Sequence, residues 1–128
     1  MAARRGAGAA ALALLLAGCV TVPPAPGLLD LLDRPAERAL HDGMRAYDDG
    51  QYAAAEQALR RALAQGLSSA RDRANAHKLL AFIQCTSDRM TACEDDFRAA
   101  RAADPGFVLG RAEAGHPLWG PVYRRVLP

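Results

Sequence analysis

The sequence has few of the residues that enzymatic and metal-binding sites require. It contains three cysteines and three histidines among 128 residues. His41, His77 and His116 do not form a pair with metal-ligand spacing, and no motif places them beside a serine or cysteine nucleophile. We therefore expect no enzymatic activity, no cofactor, no metal and no small-molecule substrate.

Positive charge is not concentrated in this chain either. Sixteen lysines and arginines stand against fourteen acidic residues, and Arg4 and Arg5 belong to an N-terminal segment that we expect to be removed. Without those two, the counts are equal at fourteen each. Nucleic-acid binding needs a concentrated basic face, so the composition predicts no nucleic-acid partner.

The third feature that is scarce is alternation of apolar and polar residues. No stretch alternates with a period of two for long enough to indicate a β-strand. Apolar residues after residue 33 recur instead at three- and four-residue steps, which predicts an all-α domain over residues 34–128. About 95 residues are enough for one domain with a modest core.

The N-terminus has the features of a secretory signal peptide over residues 1–18. A basic start leads into an apolar stretch that is too short for a membrane-spanning helix. This stretch ends in Leu16-Ala17-Gly18-Cys19, which resembles the lipobox of bacterial lipoproteins. The resemblance implies cleavage after Gly18 and lipid attachment to Cys19. The alternative is an ordinary secretion signal in which Cys19 is incidental.

Lipid attachment would determine where the protein lies in the cell. Three acyl chains at Cys19, as bacterial lipoproteins carry, would anchor it durably in a membrane. Val20 follows, where an aspartate would resemble an inner-membrane retention signal, so we expect the periplasmic face of the outer membrane. Residues 19–33 are rich in proline and nearly uncharged, a composition that favours an extended linker.

Four helices are expected in the domain. The first begins at Asp33, as N-cap, with Pro35 in its first turn, and ends at Gly50. The second contains Tyr52 and ends at Gly66, a left-handed C-cap.

The third helix follows Ser68 and Ser69, with Asp72 completing a weak capping box. It is apolar on all sides from residue 79 to 83, which predicts a central position, and it ends at the cluster 86–88. The fourth helix begins near Met90 and ends at Asp104.

The two predicted hairpins repeat at about 38 residues, a period typical of helical solenoids. Their residues resemble the tetratricopeptide repeat. In the first copy the matching residues are Gly43, Gly50, Tyr52, Ala55, Leu59 and Ala62, and in the second they are Ala81, Cys93, Phe97, Ala100 and Pro105. The second copy is degenerate, because Asp88, Met90 and His77 replace the usual glycine, aromatic residue and tryptophan.

Two repeats need a cap, because each repeat buries its core only against a neighbour. The C-terminal segment supplies candidates, since a short helix there would present Leu118, Trp119, Val122, Tyr123 and Val126 on one side. The alternative is that Trp119 belongs to a docking site, because tryptophan is common in binding hot spots.

In a tetratricopeptide stack the first helix of each pair lines the concave surface. That arrangement would present an apolar groove formed by Leu40, Met44, Tyr47, Lys78 and Phe82. Such grooves accept helices or extended peptides, so we expect a protein partner there. The alternative is that the segment around Trp119 folds back and fills the groove.

Cys85 and Cys93 are the only cysteines left once Cys19 is acylated. An even pair in an oxidising periplasm favours a disulfide. The repeat places Ala81, four residues before Cys85, near Cys93 on the antiparallel helix, so the two sulfurs can meet. Cysteine is also a suitable small buried residue, which leaves two free thiols as the alternative.

The whole arrangement resembles the TssQ-type lipoproteins of bacterial type VI secretion systems. The lipobox, the linker, the two hairpins, the Cys85 and Cys93 pair and the ending Ala112–Tyr123 carry the resemblance. It implies an accessory scaffold that binds protein components of a cell-envelope secretion complex. The alternative is a pilotin-like or other envelope-assembly lipoprotein that uses the same repeats.

Overall fold

The computed structural model describes Gly27 and residues 33–128. The predicted signal peptide, Cys19 and nearly all of the linker therefore lie outside the described residues. In the described part, no helix is long and apolar enough to cross a membrane.

The described residues form six helices and no strand, which confirms the all-α prediction. The first four form two antiparallel hairpins, α1 with α2 and α3 with α4, and α3 packs against α2. The helices are α1 Pro35–Asp48, α2 Tyr52–Gln65, α3 Ala70–Thr86, α4 Met90–Ala103, α5 Arg111–Ala114 and α6 Gly120–Val126.

Two helix ends follow from local chemistry as predicted, and one prediction about a helix end is wrong. Ser69 caps α3, since its hydroxyl accepts a hydrogen bond from the Asp72 amide at 3.2 Å, and Gly66 ends α2 with φ of 90°. Asp33 does not cap α1. Proline disfavours helical geometry in the residue before it, so the extended Arg34 becomes the N-cap and Asp33 lies one residue too far away.

Gly43 allows α1 and α2 to approach each other closely. A Cβ atom on Gly43 would lie 2.9 Å from the side chain of Leu59 and 3.2 Å from its backbone nitrogen. Both residues are buried, Leu59 completely. The glycine therefore serves helix packing, which outweighs its cost of about 1 kcal/mol inside a helix.

The turns within the two hairpins have the same backbone conformation. Gly50 has φ of 73°, and Asp88, which occupies the equivalent position 38 residues later, has φ of 57°. The left-handed region suits glycine and is tolerated by aspartate. The degenerate second copy thus keeps the turn geometry with a different residue.

Helix α3 forms the centre of the domain, as its apolar sequence predicts. Every residue from 79 to 85 is buried, including the polar Gln84. The hairpin partner α4 contributes Cys93, Phe97 and Ala100 to the same core.

The chain after α4 covers the second hairpin. Phe107 and Leu109 are buried in the loop, and Val122 is buried where α6 packs on α4. The ring of Tyr123 lies 5.6 Å from that of Phe97. Leu118 differs from the expected cap residues, since it is about half exposed. It precedes α6, which begins only at Gly120, so it does not lie on the packed face of that helix.

Candidate partner-binding surface

The concave surface of α1 and α3 is only partly the open groove that the spacing predicts. On α1, Met44 is 39% exposed and Tyr47 is half-buried. Leu40 does not line a groove, because it is 6% exposed and belongs to the core. It is turned inward, as are Ala36, Ala39 and Gly43 on the same helix.

The α3 half of the predicted groove is covered by the chain itself. Phe82 is 3% exposed, and the indole of Trp119 stacks on its ring with centroids 4.1 Å apart. The imidazole of His116 stacks on Trp119, with centroids 3.3 Å apart. The expectation that Phe82 is open to a partner is therefore wrong for this conformation, and the alternative of a self-filled groove describes this half.

Glu113 joins residues 110–119, which we call the strap, to α3 and also fixes the strap internally. Its carboxylate accepts a hydrogen bond from the Lys78 ammonium at 2.7 Å and another from the Gly110 amide at 3.1 Å. Its backbone carbonyl accepts a hydrogen bond from the indole N–H of Trp119 at 2.9 Å. Lys78 thus contacts the strap instead of facing an empty groove.

The α1 half of the concave surface is uncovered at Met44 and partly covered at Tyr47. The amide of Asn75 on α3 lies 3.7 Å from the Met44 sulfur, and the ring of Tyr47 lies 5.5 Å from that of Tyr52. Burial raises the pKa of Tyr47, with smaller contributions from Tyr52, Glu113 and Asp48. The phenol therefore stays neutral and can act as a hydrogen-bond donor in a partly apolar patch.

A pocket of about 390 Å³ continues this surface along the first turns of α3. Its wall opposite α3 is the loop after α4, where Val108 is 68% exposed. Both signs of charge are present, so the pocket favours neither an acidic nor a basic ligand. The sequence does not predict this pocket, because helical spacing does not indicate where a loop lies. The polar lining residues are Arg71, Asp72, Asn75, Lys78 and Asp104.

The two remaining cysteines lie together. The sulfurs of Cys85 on α3 and Cys93 on α4 are at bonding distance, and their Cα atoms are 5.3 Å apart. Both side chains are buried. The structure therefore provides the geometry for the predicted disulfide, and the oxidation state of the pair stays a prediction.

The histidines and the acidic cluster have structural partners. His77 Nδ1 lies 2.6 Å from the Asp96 carboxylate, which joins α3 to α4. Two residues of the acidic stretch 94–96 also have partners. Glu94 pairs with Arg98 and Arg125, and Asp96 is mostly buried beside His77. Helix α4 begins at Met90, so these residues lie in its second turn, where two of them face neighbouring elements.

Comparisons of this chain with protein-family models, with curated proteins and with solved structures found no match.

Proposed function

We propose that this protein is a lipid-anchored binding module that holds a protein partner at the periplasmic face of the outer membrane, as an accessory scaffold of a type VI secretion system. The observation that carries the binding role is the concave patch of exposed Met44 and half-buried Tyr47. Asn75, which contacts Met44, joins this patch to the pocket along α3. Exposed apolar side chains that adjoin a concave surface are typical of protein-binding sites.

The anchoring part of the proposal is supported by the sequence Leu16-Ala17-Gly18-Cys19. To test it, cells are labelled with an acyl-chain probe, and the wild type is compared with Cys19→Ser. We expect label only on the wild-type protein, and loss of the variant from the outer-membrane fraction. Equal labelling of the two would refute the lipid anchor.

The assignment to type VI secretion is supported by the resemblance of the ending Ala112–Tyr123 to the TssQ-type lipoproteins. The second candidate is a pilotin-like lipoprotein of another envelope machine, which the same repeats would suit. Neighbouring genes for sheath, tube and baseplate proteins would favour the first, and genes for a secretin or pilus the second.

The binding surface is tested by site-specific cross-linking in living cells. A photo-reactive residue at Tyr47 is compared with one at Gln57, which is exposed on α2. We expect position 47 alone to capture a component of the secretion apparatus. Met44→Glu should reduce secretion while the folded protein still reaches the membrane. Only intramolecular links to the strap from position 47 would argue against this surface.

A further inference from the structure

We propose that the strap is a displaceable occupant of the Lys78 and Phe82 surface, and that the protein partner replaces it with a segment of the same chemistry. That segment carries an acidic residue and, about six residues later, an aromatic residue. The proposal rests on the protein-binding role proposed above and names the chemistry of the partner.

The first half of the strap is less buried than the chain on either side of it. Helix α5, which forms its first half, has no buried residue. By contrast, Phe107 and Leu109 are buried before the strap, and Gly120 and Val122 are buried after it. Ala114 and Trp119 pack partly against the core, and the Ala114 carbonyl accepts a hydrogen bond from Arg124 at 2.8 Å. The strap can leave α3 as a local opening that gives up these contacts while Leu109 and Val122 stay packed.

The two principal contacts of the strap with α3 define what the surface accepts. The Glu113 carboxylate binds the Lys78 ammonium, and the Trp119 indole stacks on Phe82. Lys78 and Phe82 are four residues apart and lie on one face of α3, with the ammonium 5.8 Å from the ring centre. An acidic residue six positions before an aromatic residue satisfies both groups, so a partner with that pair competes directly with the strap.

The covered surface is continuous with the open one. Lys78 lines the pocket along α3 and also binds the strap, and Asn75, one turn earlier, contacts Met44. A peptide that begins in the pocket therefore meets the edge of the strap at Lys78. Displacement of Glu113 from Lys78 would be the first step, and displacement of Trp119 from Phe82 the second.

Trp119 is the single tryptophan of the chain, so it reports the strap position without ambiguity. The full mature protein is labelled with 5-fluorotryptophan and observed by fluorine NMR during titration with an acetylated, amidated peptide of residues 110–120. We expect a second, solvent-exposed resonance that grows and saturates. The control peptide carries Glu113→Gln and Trp119→Ala and should leave the spectrum unchanged.

Variants of the protein distinguish displacement of the strap by the peptide from a general loosening of the domain. Glu113→Gln weakens the strap alone and should tighten peptide binding about two- to five-fold, the range for a partly exposed ion pair. Lys78→Gln should abolish the difference in affinity between the peptide and the control peptide, and Lys78→Arg should preserve that difference. Circular dichroism checks that each variant is folded.

Two results would overturn the proposal. One is a single unshifted resonance for both the wild type and Glu113→Gln at millimolar peptide, and the other is equal binding of the two peptides. Either result leaves the proposed function standing, because the partner could still bind at Met44 and Tyr47. Conversely, loss of the cellular role would not change the outcome of this titration with purified protein.

Discussion

The indole of Trp119 stacks on the ring of Phe82, with the planes inclined by 17°. This contact joins the C-terminal segment to the central helix α3 across 37 residues of sequence. Trp119→Ala removes it and should lower the free energy of unfolding by about 2 kcal/mol, less than for a fully buried tryptophan. Trp119→Phe keeps a stacked ring, so it should lower the free energy of unfolding much less. Urea denaturation followed by circular dichroism measures both, and equal losses would show that stacking is unimportant.

Gly43→Ala should destabilise the protein although alanine favours helices. The new methyl group would lie 2.9 Å from the side chain of Leu59, in a completely buried contact. Overpacking of this kind costs about 1 to 3 kcal/mol, against a gain of about 1 kcal/mol in helix propensity. We expect a net loss of about 1 kcal/mol in thermal or urea unfolding. An increase in stability would mean that α1 and α2 can separate without cost.

As a control on α2, Ala54→Gly at an exposed position should lose only the propensity difference of about 1 kcal/mol.

Because of Glu56, the free energy of unfolding should depend on pH under acidic conditions. Hydrogen bonds from Arg89, reinforced by Arg60, hold the pKa of its carboxyl at about 2, below the ordinary 4.5. Because the folded pKa is the lower one, the stabilisation is complete above the unfolded pKa and is lost as pH falls from about 4.5 towards about 2. Glu56→Gln should therefore cost about 1 kcal/mol near neutral pH, since both arginines are largely exposed.

Urea titrations of the wild type and Glu56→Gln over that pH range test this. The difference between them should shrink as the pH falls. A difference that is constant with pH would show that the ion pair with Arg89 contributes nothing through its charge. Asp95→Asn, at an exposed carboxylate, serves as the control.

The pairing of Cys85 with Cys93 predicts that the unfolded, unreduced mature protein has no thiol that reacts with a thiol reagent. The bridge spans eight residues and should contribute about 2 to 3 kcal/mol in the entropic description. Reduction should therefore lower the melting temperature of the wild type but not that of the double variant Cys85→Ala, Cys93→Ala. Two free thiols per chain would contradict the prediction.

Gln84→Met should raise the free energy of unfolding by about 1 kcal/mol. Among the described residues, the Gln84 side-chain oxygen is a buried acceptor without a hydrogen-bond partner, and an apolar side chain of similar size removes that desolvation cost. Gln57→Met, at an exposed position on α2, should leave stability nearly unchanged. A marked loss on Gln84→Met would indicate that a buried water satisfies the oxygen.

The sequence by itself predicted the features that depend on near neighbours in the chain. Helical periodicity, the Ser69 cap and the left-handed Gly66 each involve residues within one or two turns, so local chemistry decides them. The repeat also predicted one kind of contact between helices. Gly43 in the first hairpin and Ala81 in the second occupy equivalent positions, where a small residue lets the paired helices approach closely. The Asp33 cap failed because the effect of Pro35 on Arg34 was stronger than the preference for a capping side chain.

Only the tertiary structure decided which half of the concave surface is covered. The contacts between Glu113 and Lys78 and between Trp119 and Phe82 join residues at least 35 positions apart. Periodicity places Lys78 and Phe82 on one face of α3, but it does not say what lies on that face. The answer depends on the path of the loop after α4, where buried Phe107 and Leu109 direct the chain back across the helix. Burial of loop residues such as these follows no helical or strand periodicity, so the sequence does not predict it.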